Sequence, residues 1–232
     1  MAEPDLFVEA NGLRFACLSQ GEGPLVLCLH GYPDTAHTWD DLLPVLAAAG
    51  YRAVAPWMRG YPPTSIPADG DCLALTLAED ASALITALGY DSAIVIGHDW
   101  GALAAYAVAN LAPEKVSKLV TIAIPHPGGL VPGPRTLWSL RHFFFYALPW
   151  LPERHLRRDG WAGVRAICTR WSPSWTIPDD EFAQVVEAFE APGGLAGALR
   201  YYRSFIRRAL WPRGLKTAAL LQRKTSMPAL AL

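Results

Sequence analysis

The chain lacks the segments that would mark a membrane protein or a secreted one. No apolar run approaches the roughly 20 residues that a membrane-spanning helix needs. The N-terminus, MAEPDLFVEANG, is acidic and has no apolar signal core. The four cysteines show no CxxC spacing and no close pairing, which is typical of reduced core or surface thiols. We therefore expect a cytoplasmic protein with no membrane partner and with no metal or other cofactor.

Basic residues are scarce at the start of the chain, and acidic residues are absent from its end. The first fifty residues hold seven acids and a single base, Arg14, whereas no acid follows Glu190. Residues 200–224 carry eight bases, which would suit a phosphate or an anionic surface. We prefer a solvated helix face whose acidic counterparts lie elsewhere in the chain. The formal net charge of −1 and the hydrophobic content of 52% describe a globular protein and not a nucleic-acid binder.

Strand and helix patterns alternate in the first half of the chain. Asn11-Gly12 predicts a hairpin between residues 6–10 and 13–19. Continuous apolar runs predict strands over residues 24–29, 51–55, 93–96 and 116–124. Helices are predicted over residues 38–49 and 75–88 and from Ala102 onward. This alternation predicts an α/β fold with a mostly parallel sheet and helices on both faces.

Gly-His-Asp-Trp-Gly, at residues 97–101, stands between a predicted strand and a predicted helix. It has the Gly-x-nucleophile-x-Gly spacing of a nucleophile elbow, in which glycines relieve the crowding of a sharp turn. The central residue, Asp99, is ionised at neutral pH and can displace a leaving group from a saturated carbon, forming an alkyl ester. The positive end of the following helix favours its ionised form. The alternative is that Asp99 is only a helix N-cap.

Residues 128–213 have a different character. They hold no convincing strand and contain six of the nine tryptophans, and the phrase RHFFFYALPW at residues 141–150 is too aromatic for an exposed loop. One interpretation is an ordinary small helical domain with its own core. The other is a helical lid over the elbow, whose aromatic residues line an apolar pocket. The two are compatible. The last residues, 227–232, predict a strand that returns to the core.

Several phrases together resemble the α/β-hydrolase superfamily, in particular its epoxide hydrolases and, more distantly, its haloalkane dehalogenases. They are HGYPD at residues 30–34, WMRGY at residues 57–61, the elbow, and the helical insertion after the following strand. HGYPD favours the epoxide hydrolases, because dehalogenases more often place Asn after the HG pair. The resemblance implies a core of residues 1–127 and 214–232, a helical cap over residues 128–213, and missing final strands and helices.

The resemblance also implies roles for particular residues. The backbone N–H groups of Tyr32 and Trp100 would form an oxyanion hole beside Asp99. An epoxide oxygen leaves as a strongly basic alkoxide and needs an acid, and the phrase YYR at residues 201–203 places Tyr202 on the position of that acid. The alternative for Tyr202 is plain aromatic packing.

Further pocket candidates follow from the same resemblance. A second tyrosine normally lies in the cap, and in this chain its position holds His142, with Tyr146 one helical turn further on. His98 lies next to the nucleophile in the sequence. His30 is also a candidate, although we favour a structural role for it in holding its own loop.

The family's orienting acid and catalytic histidine follow the strand that begins at Met227 and the strand after it, and neither position exists in these 232 residues. The resemblance thus implies a family member that lacks its C-terminal portion, in which an ester at Asp99 persists. Residues 228–232 would then form an unprotected edge strand that favours self-association.

Three functions remain open on the sequence. The leading one is an epoxide hydrolase framework that acts on a small lipophilic substrate. The second is a haloalkane dehalogenase framework, in which a halide needs only hydrogen-bond donors such as the Trp100 indole. The third is a non-catalytic truncated hydrolase fragment or binding module.

Overall fold

The computed structural model describes residues 3–130 and 133–232 and contains a seven-stranded sheet. The strands are β1 (Leu6–Ala10), β2 (Leu13–Gln20), β3 (Leu25–Leu29), β4 (Arg52–Pro56), β5 (Ala93–His98), β6 (Val116–Ile122) and β7 (Ala229–Ala231). Their order across the sheet is β1-β2-β4-β3-β5-β6-β7. β1 and β2 are antiparallel to their neighbours, whereas β4, β3, β5, β6 and β7 run parallel. The predicted mostly parallel α/β sheet is confirmed.

Helices connect the parallel strands and fill the segment between β6 and β7. Among the described residues they are α1 (Leu42–Ala48), α2 (Ala74–Ala87), α3 (Trp100–Leu111), α4 (Pro134–Ser139), α5 (Arg141–Tyr146), α6 (Leu151–Leu156), α7 (Arg158–Trp171), α8 (Asp179–Glu190), α9 (Gly194–Arg208) and α10 (Pro212–Leu221). Residues 159–161 at the start of α7 have positive φ, so its regular part begins after them. No helix in this described part of the chain is long and apolar enough to cross a bilayer.

The N-terminal hairpin and the buried strands form as predicted. Asn11 and Gly12 both have positive φ, as a two-residue hairpin turn requires. Every residue of β3 is buried, and Leu27 and Cys28, which point to opposite faces, are fully inaccessible to water. The sheet is therefore covered on both faces. α1 packs on β2 and β4, while α3 packs on β5, β6 and α2.

The helix predicted over residues 38–49 is shorter and begins later. The chain first makes a 3₁₀ turn over Ala36–Trp39, which starts where the Thr35 side chain accepts a hydrogen bond from the backbone N–H of His37. α1 then begins at Leu42. Pro44 explains this start, because a proline has no N–H to donate to the fourth residue before it and is tolerated only in the first turn.

Helices α4–α9 occupy the stretch that the sequence marks as rich in tryptophan. No strand lies within its described part, residues 133–213. One continuous hydrophobic core extends from the sheet into these helices and includes Phe189 of α8 and Tyr202 of α9. The aromatic phrase of residues 141–150 is only partly buried, because Phe144 and Trp150 are exposed whereas Tyr146 is not.

Helix α9 contacts the loop that follows β4 through its main chain. A Cβ atom on Gly197 would collide with the carbonyl oxygen of Gly60, so glycine permits this close approach. The neighbouring Tyr201 Oη donates a hydrogen bond of 2.7 Å to the carbonyl oxygen of Arg59. The Arg59 side chain is in turn held by a bidentate ion pair with the buried carboxylate of Asp80.

The C-terminal residues return to the sheet. α10 packs on α2 and α3, and β7 pairs in parallel with β6, with Leu119 opposite Ala229. The strand predicted within residues 227–232 is thus present, although it covers only three residues, all of them exposed. β7 is the last strand in the order and forms one edge of the sheet.

Three of the eight basic residues in 200–224, Arg203, Arg208 and Arg213, have acidic partners elsewhere in the chain, as the preferred interpretation of the sequence expects. Arg203 pairs with Glu153 at 2.7 Å. Arg213 pairs with Glu79 at 2.6 Å, and it also contacts Asp71. Charge compensation within the fold therefore accounts for these three bases.

Candidate active site

The residue at the centre of the elbow adopts the strained backbone that the motif predicts. β5 ends at His98 and α3 begins at Trp100, so a single residue, Asp99, turns the chain from strand to helix. Its φ of 52° and ψ of −116° lie outside the regions that a non-glycine residue normally occupies. Such strain persists only where the surrounding structure enforces it, and it is common at functional sites.

Three glycines make this turn possible. A Cβ atom on Gly97 would collide with the carbonyl oxygen of Gly101, and one on Gly101 would collide with that of Leu29. Gly31, in the loop after β3, lies as close to the nucleophile, because its Cβ atom would be 2.6 Å from Oδ1 of Asp99. The two glycines of the Gly-x-nucleophile-x-Gly spacing therefore lie where the main chain makes close contacts.

Backbone donors hold the Asp99 carboxylate. The N–H of Tyr32 donates to Oδ1 at 2.9 Å, and the N–H of Trp100 also interacts with the carboxylate. Burial raises the pKa of Asp99 to about 6, and the two donors oppose this rise. The carboxylate is thus mostly ionised at neutral pH. Asp99 is the N-cap residue of α3, but its side chain makes no capping hydrogen bond, so capping does not account for the carboxylate.

Tyr202 lies on α9 against the same site. Its ring is 1% exposed and packs edge-on against Tyr32 and Trp100, with ring centroids 5.4 and 5.2 Å apart. Burial, and secondly the negative charge of Asp99, raise the pKa of the Tyr202 hydroxyl well above its usual value. The adjacent Tyr201 donates its hydroxyl to a core carbonyl instead. Of the two neighbouring tyrosines, Tyr202 is the one that borders Asp99 and Trp100 together.

The Trp100 side chain faces the cap tyrosine. Its indole interacts with the Tyr202 hydroxyl and partly offsets the effect of burial on the pKa of that group. The indole also packs on Phe143, with ring centroids 5.5 Å apart. The indole N–H of Trp100, which a halide ion would need as a donor, is thus directed to the Tyr202 oxygen.

His142 and Tyr146 of α5 both join this aromatic cluster. The Tyr146 ring lies 5.0 Å from that of Tyr202 and 5.5 Å from that of Tyr32, and the His142 ring lies 5.8 Å from that of Tyr202. Burial, opposed by a hydrogen bond to the Ser139 carbonyl, lowers the pKa of His142 to about 4. His142 is therefore neutral at physiological pH.

The structure places His30 beneath its loop and not in the pocket. Its Nδ1 lies 2.9 Å from the carbonyl oxygen of Gly31, and its Nε2 accepts the backbone N–H of Met58 at 3.0 Å. Both ring nitrogens are thus engaged, and burial lowers the pKa of the ring to about 4. His30 is therefore not a pocket residue, because no nitrogen remains for a substrate, and its contacts are those of the structural role that the sequence favours.

His98 also differs from a simple pocket residue. His98 is the last residue of β5. Its charged neighbour is Asp34, whose carboxylate partly opposes the lowering of the His98 pKa by burial. Its Nδ1 is buried without a hydrogen-bond partner. In the described part of the chain, no histidine makes a hydrogen bond to Asp99.

One residue beside the nucleophile received no role from the sequence. Tyr61 is buried, and its Oη donates a hydrogen bond of 3.5 Å to the Gly31 carbonyl. Burial, and secondly the charge of Asp99, raise the pKa of its hydroxyl. The position of Tyr61 could have indicated this proximity. Tyr61 follows the carboxyl end of β4, and β4 lies next to β3 in the sheet.

The described residues contain no group of three or more His, Cys, Asp or Glu side chains placed to hold a metal ion. The site consists of one carboxylate, two backbone donors and a ring of aromatic side chains. Its groups are suited to nucleophilic attack by the carboxylate and to proton donation by a phenol.

Comparisons with known proteins agree with this geometry. A family model for the alpha/beta hydrolase fold matches residues 24–158. The AB hydrolase superfamily protein YfhM of Bacillus subtilis is 36% identical over 214 residues, which cover 88% of this chain and 74% of that protein. Epoxide hydrolase 4 of Homo sapiens is 30% identical over 209 residues, which cover 85% of this chain but only 58% of the human protein.

Solved structures show the same likeness. The epoxide hydrolase VrEH1 of Vigna radiata superposes with a TM-score of 0.80 at 28% identity, covering 97% of this chain and 78% of that one. The Bacillus megaterium epoxide hydrolase in complex with an inhibitor gives a TM-score of 0.78 at 25% identity, covering 96% and 77%. The chain belongs to the α/β-hydrolase family and is an epoxide hydrolase-like member of it.

Proposed function

We propose that this chain opens lipophilic epoxides by forming an ester at Asp99. A carboxylate oxygen attacks a ring carbon, the carbon–oxygen bond of the epoxide breaks, and the released oxygen takes the proton of the Tyr202 hydroxyl. The tyrosinate is reprotonated from solvent. The observation that carries the proposal is the placement of one buried tyrosine beside a carboxylate that is held by the Tyr32 N–H at 2.9 Å.

The electrostatics of the pair suit this proton transfer. The charge of Asp99 contributes to the raised pKa of Tyr202, so the phenol keeps its proton while the carboxylate is free. Ester formation consumes that charge. The acidity of Tyr202 therefore rises as the reaction proceeds, at the moment when the leaving oxygen becomes strongly basic.

Tyr146 is a second donor candidate in the proposed reaction. Its ring packs against Tyr202 and Tyr32, and its hydroxyl interacts with that of Tyr32. Burial raises its pKa to about 12. Tyr202 packs against both Tyr32 and Trp100, whose N–H groups bind the carboxylate, and this favours Tyr202 as the residue closer to the reacting atoms.

Hydrolysis of the ester requires a base that activates water. Neither ring nitrogen of His30 is free, and the His98 ring lies against Asp34. His126 lies against the carbonyl oxygen of Arg223 and accepts the N–H of Gly128. In the described part of the chain no histidine hydrogen-bonds to Asp99, and we therefore propose that these 232 residues carry out the first half of the reaction and that the ester accumulates.

Intact-mass spectrometry of the 232-residue chain treated with styrene oxide tests the proposal. We expect one stable adduct, located on Asp99 by peptide mapping and absent from Asp99→Asn. Tyr202→Phe should slow its formation by about 10²-fold or more. Tyr201→Phe is the matched control. It removes a hydroxyl from the same helix, but that hydroxyl donates to the Arg59 carbonyl and does not face the reaction. It should react at close to the parental rate.

Three other outcomes would support a different function or contradict the proposal. Faster adduct formation with 1-bromobutane than with styrene oxide, with bromide released and no effect of Tyr202→Phe, would support the haloalkane dehalogenase alternative. No adduct with either reagent on a folded chain would support a non-catalytic binding module. Sustained diol production would contradict the proposed accumulation of the ester.

A further inference from the structure

Large apolar side chains are exposed on neighbouring helices of the segment between β6 and β7. Trp138 and Trp150 are 68% and 67% exposed, whereas Trp39, Trp57 and Trp100 are buried. Exposed apolar patches of this kind mark sites of interaction with a protein or a membrane. The patch is termed the aromatic face, and its residues lie on α4, on α5 and the turn after it, and on α9: Leu137, Trp138, Phe144, Leu148, Trp150 and Phe205.

Contacts between the helices join these side chains into one surface. α5 packs on α4 and on α9. Phe143 of α5 contacts Phe205 of α9, with ring centroids 5.2 Å apart. Arg207 of α9 donates a hydrogen bond of 2.9 Å to the carbonyl oxygen of Ala147, at the end of α5. The turn that carries Leu148 and the last turns of α9 are therefore adjacent.

The backbone at Trp150 adopts a conformation that is costly for a bulky side chain. Its φ of 49° lies in the left-handed region, and α6 begins at the next residue. The exposed ring gains little burial in return for this strain. Strained residues persist where the surrounding structure enforces them, and they are common where a protein contacts a ligand. The conformation of Trp150 thus favours a binding role over a role in packing.

The chain segments that build this surface contain almost no negative charge. Residues 115–152 and 191–232, which include α4, α5 and α9, hold no Asp or Glu. The next acid after the first segment, Glu153, is already paired with Arg203. Acidic residues are concentrated elsewhere, as in the first turn of α8.

Unpaired arginines accompany the exposed tryptophans. The guanidinium carbon of Arg141 lies 4.3 Å from the ring centroid of Trp138. Arg154 is exposed and follows Trp150 by one helical turn. In the part of the chain that the structure describes, Arg141, Arg154 and Arg207 have no carboxylate within ion-pair distance. The aromatic face is therefore surrounded by uncompensated positive charge.

This combination matches the chemistry of a lipid bilayer surface. Tryptophan rings are favoured at the level of the lipid headgroups, where one edge is apolar and the other is wet. Lys and Arg near an anionic leaflet each strengthen binding by about fivefold. Surfaces that lie on a membrane without crossing it combine Trp, Phe and Leu with bases, and the aromatic face has that composition.

We propose that the aromatic face docks this protein on an anionic phospholipid bilayer. Trp138 and Trp150 enter the headgroup region, and Arg141, Arg154 and Arg207 lie against lipid phosphates. The expectation of no membrane partner depends on the lack of a spanning segment, and docking of this kind requires none. The proposal is independent of the proposed function, because neither Asp99 nor an epoxide takes part.

Flotation of the 232-residue chain with lipid vesicles tests the docking. Vesicles of phosphatidylcholine containing about one third phosphatidylglycerol should bind it at least about tenfold more tightly than phosphatidylcholine alone. Trp138→Ser and Trp150→Ser should each weaken binding to the anionic vesicles by about fivefold or more. Trp175→Ser is the matched control, because Trp175 is also exposed but precedes the acidic start of α8. It should bind like the parental chain.

A second pair of variants tests the charge. Arg154→Gln should weaken binding to the anionic vesicles by about fivefold and leave binding to phosphatidylcholine unchanged. Lys118→Gln also removes one exposed positive charge, but from β6 and away from the aromatic face, and it should have no effect. All five substituted side chains are exposed, so the Tm of each variant should equal the parental value.

Quenching of tryptophan fluorescence by brominated phosphatidylcholine in anionic vesicles requires no substitution, and we expect quenching of the parental chain. No quenching, equal flotation with neutral and anionic vesicles, or full binding by both Trp138→Ser and Trp150→Ser would overturn the proposal. Self-association that Trp150→Ser abolishes, without any flotation, would also overturn it and would identify a second copy of the chain as the partner.

Discussion

Replacing Asp99 by asparagine should stabilise the folded protein at neutral pH. Burial raises the pKa of this carboxyl from 3.8 to about 6 even though two backbone N–H groups bind it. Folding therefore disfavours the ionised form. An asparagine at this position carries no charge to desolvate, and its amide oxygen can still accept the N–H of Tyr32.

The size of the effect follows from the shift. Two pKa units correspond to about 3 kcal/mol, which is an upper bound because Asp99 is only partly buried. A gain of about 2 kcal/mol is a reasonable expectation. At about 2–4 °C per kcal/mol for a chain of this size, the Tm should rise by about 4–8 °C.

The gain should depend on pH in one direction. Because the folded state binds the Asp99 proton more tightly than the unfolded state, the parental protein has its full stability from this group below the unfolded pKa. That stability is lost as the pH rises from 3.8 through about 6. The parental chain and the Asp99→Asn variant should thus have nearly equal Tm values near pH 3.8. Above that pH, the Tm of the variant should exceed that of the parental chain.

Thermal melts followed by circular dichroism at about pH 4, 6 and 7.5 measure this difference. Asp91→Asn is the matched control, because Asp91 is exposed and lies just before the other end of β5. It should leave the Tm unchanged. A variant that is no more stable than the parental chain at neutral pH, or equally stabilised at all three pH values, would refute the reasoning.

Other perturbations have equally definite outcomes. Gly101→Ala places a Cβ atom against the Leu29 carbonyl and should lower the unfolding free energy by about 3 kcal/mol or more in a urea titration, whereas Gly129→Ala, with open space around it, should change it by less than about 0.5 kcal/mol. Similar losses in both variants would contradict the role of the close contact. Leu230→Lys on the exposed edge strand β7 should shift the chain from self-associated species toward monomer in size-exclusion chromatography with light scattering, and an unchanged profile would argue against association through this edge.

The sequence predicts the fold well where local chemistry leaves few choices. Asn11-Gly12 permits a tight hairpin turn, and continuous apolar runs suit strands that are covered on both faces. The prediction is less accurate for the helix over residues 38–49. There a side-chain bond at Thr35 and the missing N–H of Pro44 determine the boundaries, and helical periodicity contains neither effect.

The site is predictable to the extent that its residues are close in sequence or belong to a short phrase. The approach of the Tyr32 N–H to Asp99 agrees with the geometry that the resemblance implies. The proximity of Tyr61 and the burial of both nitrogens of His30 depend on contacts between separate loops. A one-dimensional pattern does not encode such contacts, and the direction of each side chain becomes known only from the packed structure.

The main-chain contact between α9 and the core constrains how the pocket can be redesigned. Gly197 rests against the Gly60 carbonyl, and Tyr201 is bonded to a carbonyl that the buried Asp80 helps to fix through Arg59. A library that varies Gly197 or Tyr201 should therefore lose many members to misfolding. Libraries that alter the pocket should instead vary α5, whose Phe143 and Tyr146 rings pack against Tyr202, and leave the helix that carries Tyr202 unchanged.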